Sequence, residues 1–248
     1  MRQDYDAIAH LYDERARDHT VDPQLIEFLA DRDRASVRVV DVGCGTGKQL
    51  AANRGAFAEL PLTGVDVSFN MLRIARDRTP SAAWVQGDGQ ALPLRSTSVD
   101  YLTNQYSYPH IPDKHAFFSE VFRVLRPSGR FVLRNIDPWS MPEWIIYRFF
   151  PEAREVDYVD FLPVDTLVTM LQQVGFGNVG VLRSEDRKDE SLRAFLARKR
   201  HSASQFTAIP DAAYEAGRRR VQEALGDGAA DVTVISSAAL ITVRADRI

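Results

Sequence analysis

The sequence has a single cysteine, Cys44, in 248 residues, which excludes an intrachain disulfide and any zinc site built from several cysteines. Positive charge is not in excess either, because 31 Lys and Arg face 34 Asp and Glu. Such a chain has no strong basic field with which to hold nucleic acid. No hydrophobic run is long enough to span a bilayer, and Met1–Asp6 lacks the apolar stretch of a signal peptide. We therefore expect a cytoplasmic protein without a membrane span.

The composition is that of an ordinary globular protein, with 45% hydrophobic and 26% charged residues. A chain of this length buries a substantial core, and we expect one large domain with elaborations rather than two domains. The sequence contains no internal repeat and no low-complexity stretch that would mark a second domain.

The chain is organised around residues 36–47, which read SVRVVDVGCGTG. The valines of this stretch predict a strand buried on both faces, as in a parallel sheet. Gly43, Gly45 and Gly47 allow a sharp turn and a close approach of bare backbone to a ligand. A helix predicted over Gln49–Phe57 would present its free N–H groups to that ligand. The pattern favours a nucleotide-sized pocket, and a plain glycine turn of an α/β domain is the alternative.

The spacing of these glycines separates two kinds of nucleotide site. The dinucleotide fingerprint is G-x-G-x-x-G, whereas this loop reads G-x-G-x-G. In a Walker loop the lysine is followed by Ser or Thr, whereas Lys48 is followed by Gln49. The stretch resembles motif I of the class I S-adenosylmethionine (SAM) methyltransferases, commonly D-x-G-x-G-x-G.

Two acidic residues follow at the ends of the next strands. Asp66 ends a predicted strand about 20 residues after the glycines, where a carboxylate can accept both hydroxyls of a ribose. The alternative is a cap for the next helix, a role for which Ser68 is also placed. Asp88 lies in QGDGQALPL after a third strand, Ala83–Gln86, and this segment is similar to the one in which the family binds the exocyclic amine of adenine. That amine only donates hydrogen bonds, so it needs an acceptor, although Asp88 as a mere turn residue remains possible.

Two further segments complete the resemblance. A fourth strand, Ser98–Gln105, leads into YSYPHIP, where His110 matches the second histidine of a family pattern and Pro109 replaces the first. After a helix capped by Asp113, residues 125–133 read LRPSGRFVL, which closely resembles the L-K-P-G-G segment before the family's fifth strand. The resemblance covers about residues 37–135 in four motifs in the right order. His110 is either a general base, since imidazole titrates near neutral pH, or a structural residue.

The resemblance is to the type 11, ubiquinone/menaquinone-biosynthesis-like group of class I SAM methyltransferases. It implies a Rossmann-like, doubly wound α/β fold with a seven-stranded, mostly parallel sheet, an antiparallel last strand, helices on both faces and an inserted cap. The cofactor would be SAM, released as S-adenosylhomocysteine, and no metal is implied. The cofactor site that we expect consists of Tyr12, Asp41, Gly43, Cys44, Gly45, Gly47, Asp66, Val67, Met71, Asp88, Gly89, Asn104 and Gln105.

The flanking segments suggest how the rest of one domain, residues 1–248, is divided. Residues 1–35, which contain the family-like YDAIAHLYD at 5–13, would form a helical lid over a core at 36–136, and an ordinary amphipathic helix is the alternative. Residues 137–162 are rich in aromatic residues and prolines and predict a substrate cap or the aromatic core of an inserted helix pair. Residues 163–248 would complete the sheet, with a helical insertion at 189–226. The substrate pocket that we expect consists of Tyr106, Tyr108, Trp139, Trp144 and Tyr147.

The leading hypothesis is an enzyme that transfers a methyl group by in-line SN2 displacement to a small, apolar or aromatic acceptor, through an O, N or C atom. A transfer RNA wobble-uridine-type methyltransferase is a second possibility, against which the acidic net charge argues. A catalytically silent SAM-binding or interaction protein is a third, and a NAD-dependent oxidoreductase is disfavoured by the glycine spacing. The sequence does not indicate an oligomeric state.

Overall fold

We describe the protein from a computed structural model, in which residues 5–13, 19–226, 228 and 230–248 are described. The chain divides into two compact units. The glycine-loop unit comprises Asp4–Asn135, Val164–Leu182 and Thr242–Ile248, and the aromatic unit comprises Ile136–Pro163 and Arg183–Ile241.

Seven strands form one sheet in the order β3-β2-β1-β4-β5-β7-β6. The first five strands pair in parallel, and β7 is antiparallel, as the backbone hydrogen bonds Ser128 N to Arg247 O and Arg247 N to Gly129 O show. This topology confirms the predicted Rossmann-like, doubly wound fold with an antiparallel last strand. The strands are β1 Val39–Val42, β2 Leu62–Asp66, β3 Ala83–Gln86, β4 Val99–Gln105, β5 Leu125–Ile136, β6 Gly177–Ser191 and β7 Thr233–Asp246.

Helices fill most of the connections between the strands. In the predicted N-terminal helical segment Ala9–Asp13 is helical, and positions 1–4 and 14–18 lie outside the described residues. The helices are α1 Ala9–Asp13, α2 Pro23–Phe28, α3 Lys48–Ala56, α4 Phe69–Arg78, α5 Lys114–Val124, α6 Ile145–Phe149, α7 Pro151–Asp160, α8 Val164–Val174, α9 Leu192–Leu196, α10 Ser204–Ala208 and α11 Asp211–Leu225.

Side-chain caps fix where the helices of the glycine-loop unit begin. Ser68 Oγ accepts from Met71 N at 3.1 Å, and Asp113 Oδ1 accepts from Ala116 N at 2.9 Å, as the sequence predicts for both residues. Asp22 caps α2 in the same way, through Gln24 N at 3.0 Å. Each cap satisfies a backbone donor that has no partner within the helix, which stabilises a helix by about 1 kcal/mol. The cap of α4, Ser68, therefore lies two residues after Asp66, and the helix begins at Phe69.

The core of the glycine-loop unit surrounds β1, all four residues of which are buried. This confirms the prediction of a strand covered on both faces. Leu25, Val39 and Leu50 are completely buried, and each would leave a cavity if truncated to alanine, at a cost of about 2–5 kcal/mol. The cluster consists of Leu25, Phe28, Leu29, Val37, Val39, Leu50, Phe57, Leu60, Leu62, Tyr101 and Val132.

The core of the aromatic unit is built from rings on different helices. Phe150 lies between Phe206 and Tyr214, with ring centroids 4.7 and 5.7 Å away. Gly217 brings α11 against this cluster, because a Cβ there would lie 2.1 Å from Cδ1 of Phe150. Glycine weakens a helix interior by about 1 kcal/mol, so the close approach accounts for its presence in α11. Phe149 and Phe150, which the sequence places in the cap, are thus core residues of this unit.

Arginines of the aromatic unit, among them Arg198, Arg200 and Arg220, form ion pairs within that unit. Arg198 contacts Glu190 at 2.6 Å, and Arg200 contacts Asp211. Arg220 lies 3.3 Å from an oxygen of Glu152. These arginines are thus paired with acidic residues of the same unit. In the described ranges, no helix combines the length and the apolar character needed to cross a bilayer.

Candidate functional site

A cleft opens in the glycine-loop unit where β1 and β4 end. It encloses about 600 Å³ of space, part of which is open solvent. The carboxyl ends of parallel strands are where ligands bind in open α/β sheets. The cleft is lined by Tyr12, His19, Asp41, Gly43, Cys44, Gly45, Thr46, Lys48, Gln49, Gln105 and Tyr106.

Gly43, Gly45 and Gly47 all adopt left-handed backbone conformations, with φ of 71°, 52° and 74°. They differ in what a side chain would meet. A Cβ on Gly43 would lie 2.0 Å from Oγ of Ser107, and a Cβ on Gly47 would lie 2.5 Å from the Trp84 ring. A Cβ on Gly45 would meet nothing closer than Cε1 of Tyr12, at 3.9 Å. Two of the glycines therefore serve packing, and Gly45 leaves its backbone open to the cleft.

Two buried acceptor atoms beside this loop have no hydrogen-bond donor. They are Oδ1 of Asp41 on β1 and Oδ1 of Asn104 on β4. The amide nitrogen of Asn104 is fixed, since it donates to Val42 O at 2.8 Å and to Ser107 Oγ at 2.6 Å. Burial raises the pKa of the Asp41 carboxyl well above its usual value, and the nearby Asp66 charge adds to the shift. Buried acceptors without donors are rare in folded proteins, so this end of the cleft fits a ligand group that only donates.

Asp66 ends β2 and connects the glycine loop to the next helix. One oxygen accepts from Gly45 N at 2.8 Å, and the other accepts from Ser68 N at 2.9 Å. Burial raises the pKa of this carboxyl, and the two backbone donors oppose the shift. A carboxylate oxygen can accept a second bond, so both oxygens keep capacity for two neighbouring hydroxyl groups of a ligand.

The residues expected around the adenine differ in exposure. The side chain of Val67 is 57% exposed, whereas Met71 is only 2% exposed and lies on the buried side of α4. Asp88 is exposed, and its oxygens accept from the backbone and side-chain nitrogens of Gln90 at 2.9 to 3.2 Å. Gly89 is buried, and a Cβ there would lie 3.2 Å from Ile111 and Phe117. Val67 and Asp88 are therefore open to a ligand, and Met71 presents little surface.

Three further predicted residues line the cleft at the ends of β1 and β4. Cys44 is buried, and burial raises the pKa of its thiol, so it stays protonated. Gln105 and Tyr106 line the cleft after β4. Tyr106 has φ of 57°, an uncommon conformation for an aromatic residue, and its N donates to Arg134 O at 3.0 Å. Such strain is typical of functional sites.

The N-terminal segment is attached to the glycine-loop unit through two carboxylates. Asp6 accepts from Ser68 Oγ at 2.5 Å and from Asn70 N at 3.0 Å, at the start of α4. Asp13 forms two hydrogen bonds with Arg78, at 2.7 and 2.8 Å, and its carbonyl accepts from Lys48 Nζ at 2.7 Å. The segment carries Tyr12 into the cleft next to the glycine loop.

His110 pairs with a tyrosine of this same segment. Its Nε2 lies 2.9 Å from the hydroxyl of Tyr5, and the two rings meet edge to face with centroids 5.4 Å apart. The turn that carries His110 is held by Lys114, whose ammonium donates to the carbonyls of Tyr108 and Pro109 at 2.8 and 2.9 Å. Tyr108 itself is completely buried, so its ring belongs to the packing of this turn.

Several residues near the cleft were not predicted from the sequence. Gln49 donates to Thr20 O at 2.9 Å and to Asn53 Oδ1 at 3.1 Å, and its oxygen lies 3.4 Å from Nδ1 of His19. The sequence did not indicate His19 as a residue of the site, because it is an isolated histidine in a polar stretch between two predicted helices. The helix predicted from Gln49 begins at Lys48, and its first turn lines the cleft.

The other expected substrate residues lie in the aromatic unit. Trp139 packs on Tyr158 with ring centroids 5.2 Å apart, and Trp144 packs edge to face on Tyr147 at 4.9 Å. The Tyr147 hydroxyl donates to Oδ2 of Asp157 at 2.6 Å. Within the part of the chain that the structure describes, no group of three or more His, Cys, Asp or Glu side chains could hold a metal ion.

Comparisons with known proteins agree with this geometry. Residues 40–133 match the family described as a methyltransferase domain. The chain is 32% identical over 113 residues to demethylmenaquinone methyltransferase of Staphylococcus aureus strain MRSA252, and this match covers 44% of the chain and 47% of the relative. It is 31% identical over 188 residues to the biotin biosynthesis bifunctional protein of Cellvibrio japonicus, which covers 74% of the chain and 35% of the relative. The chain thus spans less than half the length of these two curated relatives.

A solved structure shows the same fold. Phosphoethanolamine N-methyltransferase 2 of Haemonchus contortus, in complex with S-adenosyl-L-methionine, superposes with a TM-score of 0.61 and 18% identity. The superposition covers 98% of this chain and 57% of that one. Residues 40–133 therefore match the methyltransferase-domain family, and the chain has the fold of a methyltransferase of known structure.

Proposed function

We propose that the chain binds SAM in the glycine-loop cleft and methylates a small organic acceptor. The observation on which this proposal rests is the pair of buried oxygens, on Asp41 and Asn104, that lack a donor beside the open backbone of Gly45. A primary ammonium group supplies three donors and no acceptor, and the methionine end of SAM carries one. The sequence also favours the Asn104 main-chain carbonyl as a further acceptor for this group.

The other proposed cofactor contacts follow the strands along the sheet. The two Asp66 oxygens would accept the ribose hydroxyls, and Asp88 with Gly89 would bind the edge of the adenine, against which exposed Val67 would pack. Tyr12 would cover the glycine loop from the N-terminal segment. When bound, SAM supplies a methyl group that its sulfonium already activates, so no metal is needed to make the methyl group reactive. The chain's own task is to position an acceptor and to exclude water.

On the acceptor side, Tyr5 and His110 are the residues that we propose to move a proton. The hydroxyl of Tyr5 and Nε2 of His110 share a hydrogen bond. The tyrosine oxygen can take a proton from an acceptor hydroxyl or amine while passing its own proton to Nε2 of the imidazole. A base positioned in this way contributes about 10²–10⁴-fold to a rate. The name of the Staphylococcus aureus relative, a demethylmenaquinone methyltransferase, supports a small organic acceptor rather than a macromolecule.

Calorimetric titration of the purified protein tests the cofactor assignment. SAM and S-adenosylhomocysteine should bind, and NADH should not. Asp66→Ala should weaken SAM binding by about 1–3 kcal/mol, through the loss of charged hydrogen bonds. Asp77→Ala is the matched control, because Asp77 is an exposed carboxylate near the C-terminal end of α4. Absence of binding by both SAM and S-adenosylhomocysteine would show the proposal to be wrong.

The acceptor is tested by a panel assay that follows release of S-adenosylhomocysteine. Phenols, quinols, aryl acids and amines cover transfer to O, N and C atoms. Turnover with a member of this panel would support the enzymatic function. SAM binding without turnover on the panel, with transfer RNA as a further arm, would instead indicate a protein that binds the cofactor without using it.

A further inference from the structure

Arg154 of α7 lies between two tyrosine rings of the aromatic unit. Its guanidinium carbon is 5.6 Å from the centroid of Tyr147 and 5.5 Å from the centroid of Tyr158. Contacts of this kind hold an arginine in place through the attraction between a cation and the face of a ring. Tyr158 follows Arg154 by four residues, so both side chains project from the same side of the helix. The guanidinium is therefore fixed by rings rather than by hydrogen bonds.

The charge of Arg154 has no acidic partner among the described residues. No Asp or Glu oxygen of those residues lies within 4.0 Å of its nitrogens, and its Nε is buried without any hydrogen-bond acceptor. Other arginines of the same unit do have acids, as Arg198 has Glu190. A buried donor without an acceptor is costly, and a guanidinium offers five donors in a planar fork. Nε of Arg154 is thus a buried donor that no acceptor of the described residues satisfies.

The nearest acid in sequence on this face is already in use. Asp157 accepts from the Tyr147 hydroxyl at 2.6 Å and from Nε2 of Gln205 at 3.2 Å, and it is only 5% exposed. The same bond fixes the Tyr147 ring that packs on Arg154. The acid nearest to the arginine therefore holds one of its flanking rings and does not neutralise its charge.

Further rings extend the cluster on both sides. Trp139 packs on Tyr158, and Trp144 packs on Tyr147, so an arginine lies at the centre of a row of four aromatic side chains. Trp139 is 39% exposed, which leaves part of one indole face open. A planar, aromatic ligand would pack against such rings, and a carboxylate would match the arginine fork with two parallel hydrogen bonds.

We propose that the Arg154 cluster (Arg154, Tyr147, Tyr158, Trp139 and Trp144) binds the carboxylate of an aromatic acid. The row of rings selects the planar body of the ligand, and the guanidinium selects its charge.

The test is equilibrium binding of 4-hydroxybenzoate and of its uncharged methyl ester, followed by tryptophan fluorescence without SAM. The acid should bind at least about tenfold more tightly than the ester, since hydrogen bonds to charged groups are worth about 1.5–3 kcal/mol. Arg154→Met keeps the apolar stem and should remove the preference. Arg154→Lys keeps the charge but loses the fork, and should retain only part of the preference. Unfolding curves establish whether each variant folds. If Arg154→Met does not fold, Arg154→Lys provides the test.

Arg148→Met is the matched control, because Arg148 is an exposed arginine of α6 over the ring of Phe149. This variant should bind the acid as the unchanged protein does. Equal binding of acid and ester, or a preference that survives in Arg154→Met, would overturn the proposal. Phenyl phosphate is a further arm, and tighter binding of phenyl phosphate than of the acid would contradict the choice of a carboxylate.

The outcome is separable from that of the proposed function. A protein that binds SAM but does not distinguish acid from ester contradicts only the assignment of Arg154. A protein that prefers the acid but does not bind SAM contradicts only the methyltransferase proposal.

Discussion

The Tyr5 hydroxyl lies 2.9 Å from Nε2 of His110, although the two residues are 105 positions apart in the chain. One partner comes from the N-terminal segment and the other from the turn after β4. The imidazole predicted from the sequence as a base therefore has its Nε2 bonded to a tyrosine hydroxyl. The proposed route for a proton that leaves an acceptor therefore consists of two residues. Substitutions at each of them can test it.

Tyr5→Phe should lower the rate of methyl transfer by about 10²-fold or more, because it removes the hydroxyl and leaves the ring packing in place. His110→Asn should have a similar effect, and the double variant should be little worse than either single one. SAM affinity, measured by calorimetry, should change little in Tyr5→Phe. Unchanged turnover in both single variants would remove the pair from the mechanism.

Gly45→Ala and Gly43→Ala should separate ligand binding from folding. Both positions have positive φ, so each alanine costs about 1 kcal/mol or more in backbone strain. The new methyl group at 45 would point into the cleft, whereas at 43 it would clash with Ser107. We expect Gly45→Ala to fold with SAM affinity reduced at least tenfold, and Gly43→Ala to lose more stability in urea unfolding. Equal SAM affinity in Gly45→Ala and the unchanged protein would show that this backbone does not face the cofactor.

SAM binding should release a proton from Asp41. Burial raises the pKa of this carboxyl, so the free protein holds a proton that must leave when a cationic ammonium binds beside it. SAM affinity should therefore rise as the pH is raised through the elevated pKa of Asp41, as long as the α-amino group of the ligand stays protonated. Calorimetry in buffers of different ionisation enthalpy measures the released proton, and Asp41→Asn should abolish both effects. A proton release that persists in Asp41→Asn would point to another group.

Asp157 should make the aromatic unit more stable in mild acid than at neutral pH. Burial raises the pKa of its carboxyl from 3.8 to about 6. A raised folded-state pKa favours the protonated fold, so this contribution is complete below about pH 4 and is lost as the pH rises through 6. The difference of about two pKa units corresponds to about 3 kcal/mol.

Asp157→Asn removes this dependence. Urea unfolding, followed by tryptophan fluorescence, should show the variant gaining up to about 3 kcal/mol relative to the unchanged protein between pH 4 and 7.5. The asparagine oxygen can still accept from Tyr147, so the packing of that ring is retained. A stability difference that does not vary with pH would mean that Asp157 is not buried in solution.

The parts of the fold that could be predicted are those whose signal is local. The valines of β1 and the caps at Ser68 and Asp113 lie next to the elements that they define. β6 runs to Ser191 although its later residues give no signal in the sequence, because it lies at the edge of the sheet and these exposed, charged residues show no hydrophobic alternation. The first residues of β7 give little signal for a related reason: they are largely exposed.

The residues of the candidate site also divide into those that have a local signal in the sequence and those that have none. The glycine loop, Asp41 and Asp66 could be found from spacing along the chain. The structure places Asp41, Gly43 and Gly45 in the lining of one cleft, and Asp66 accepts a hydrogen bond from Gly45 N. The Tyr5–His110 pair could not be found, because nothing in the sequence records that the N-terminal segment reaches the turn after β4. Arg154 was equally hidden, since an arginine in a charged helix usually faces solvent, and only the packed rings distinguish it.

The attachment of the N-terminal segment has a consequence for the time a ligand stays bound. Asp13 is held by the side chains of Arg78 and Lys48 near the surface, where dissolved ions compete with protein charges. In the proposed function Tyr12 covers the bound cofactor, so release of the cofactor would require this attachment to open. Raising the ionic strength should therefore shorten the residence time of bound cofactor and product more than it alters their rate of arrival.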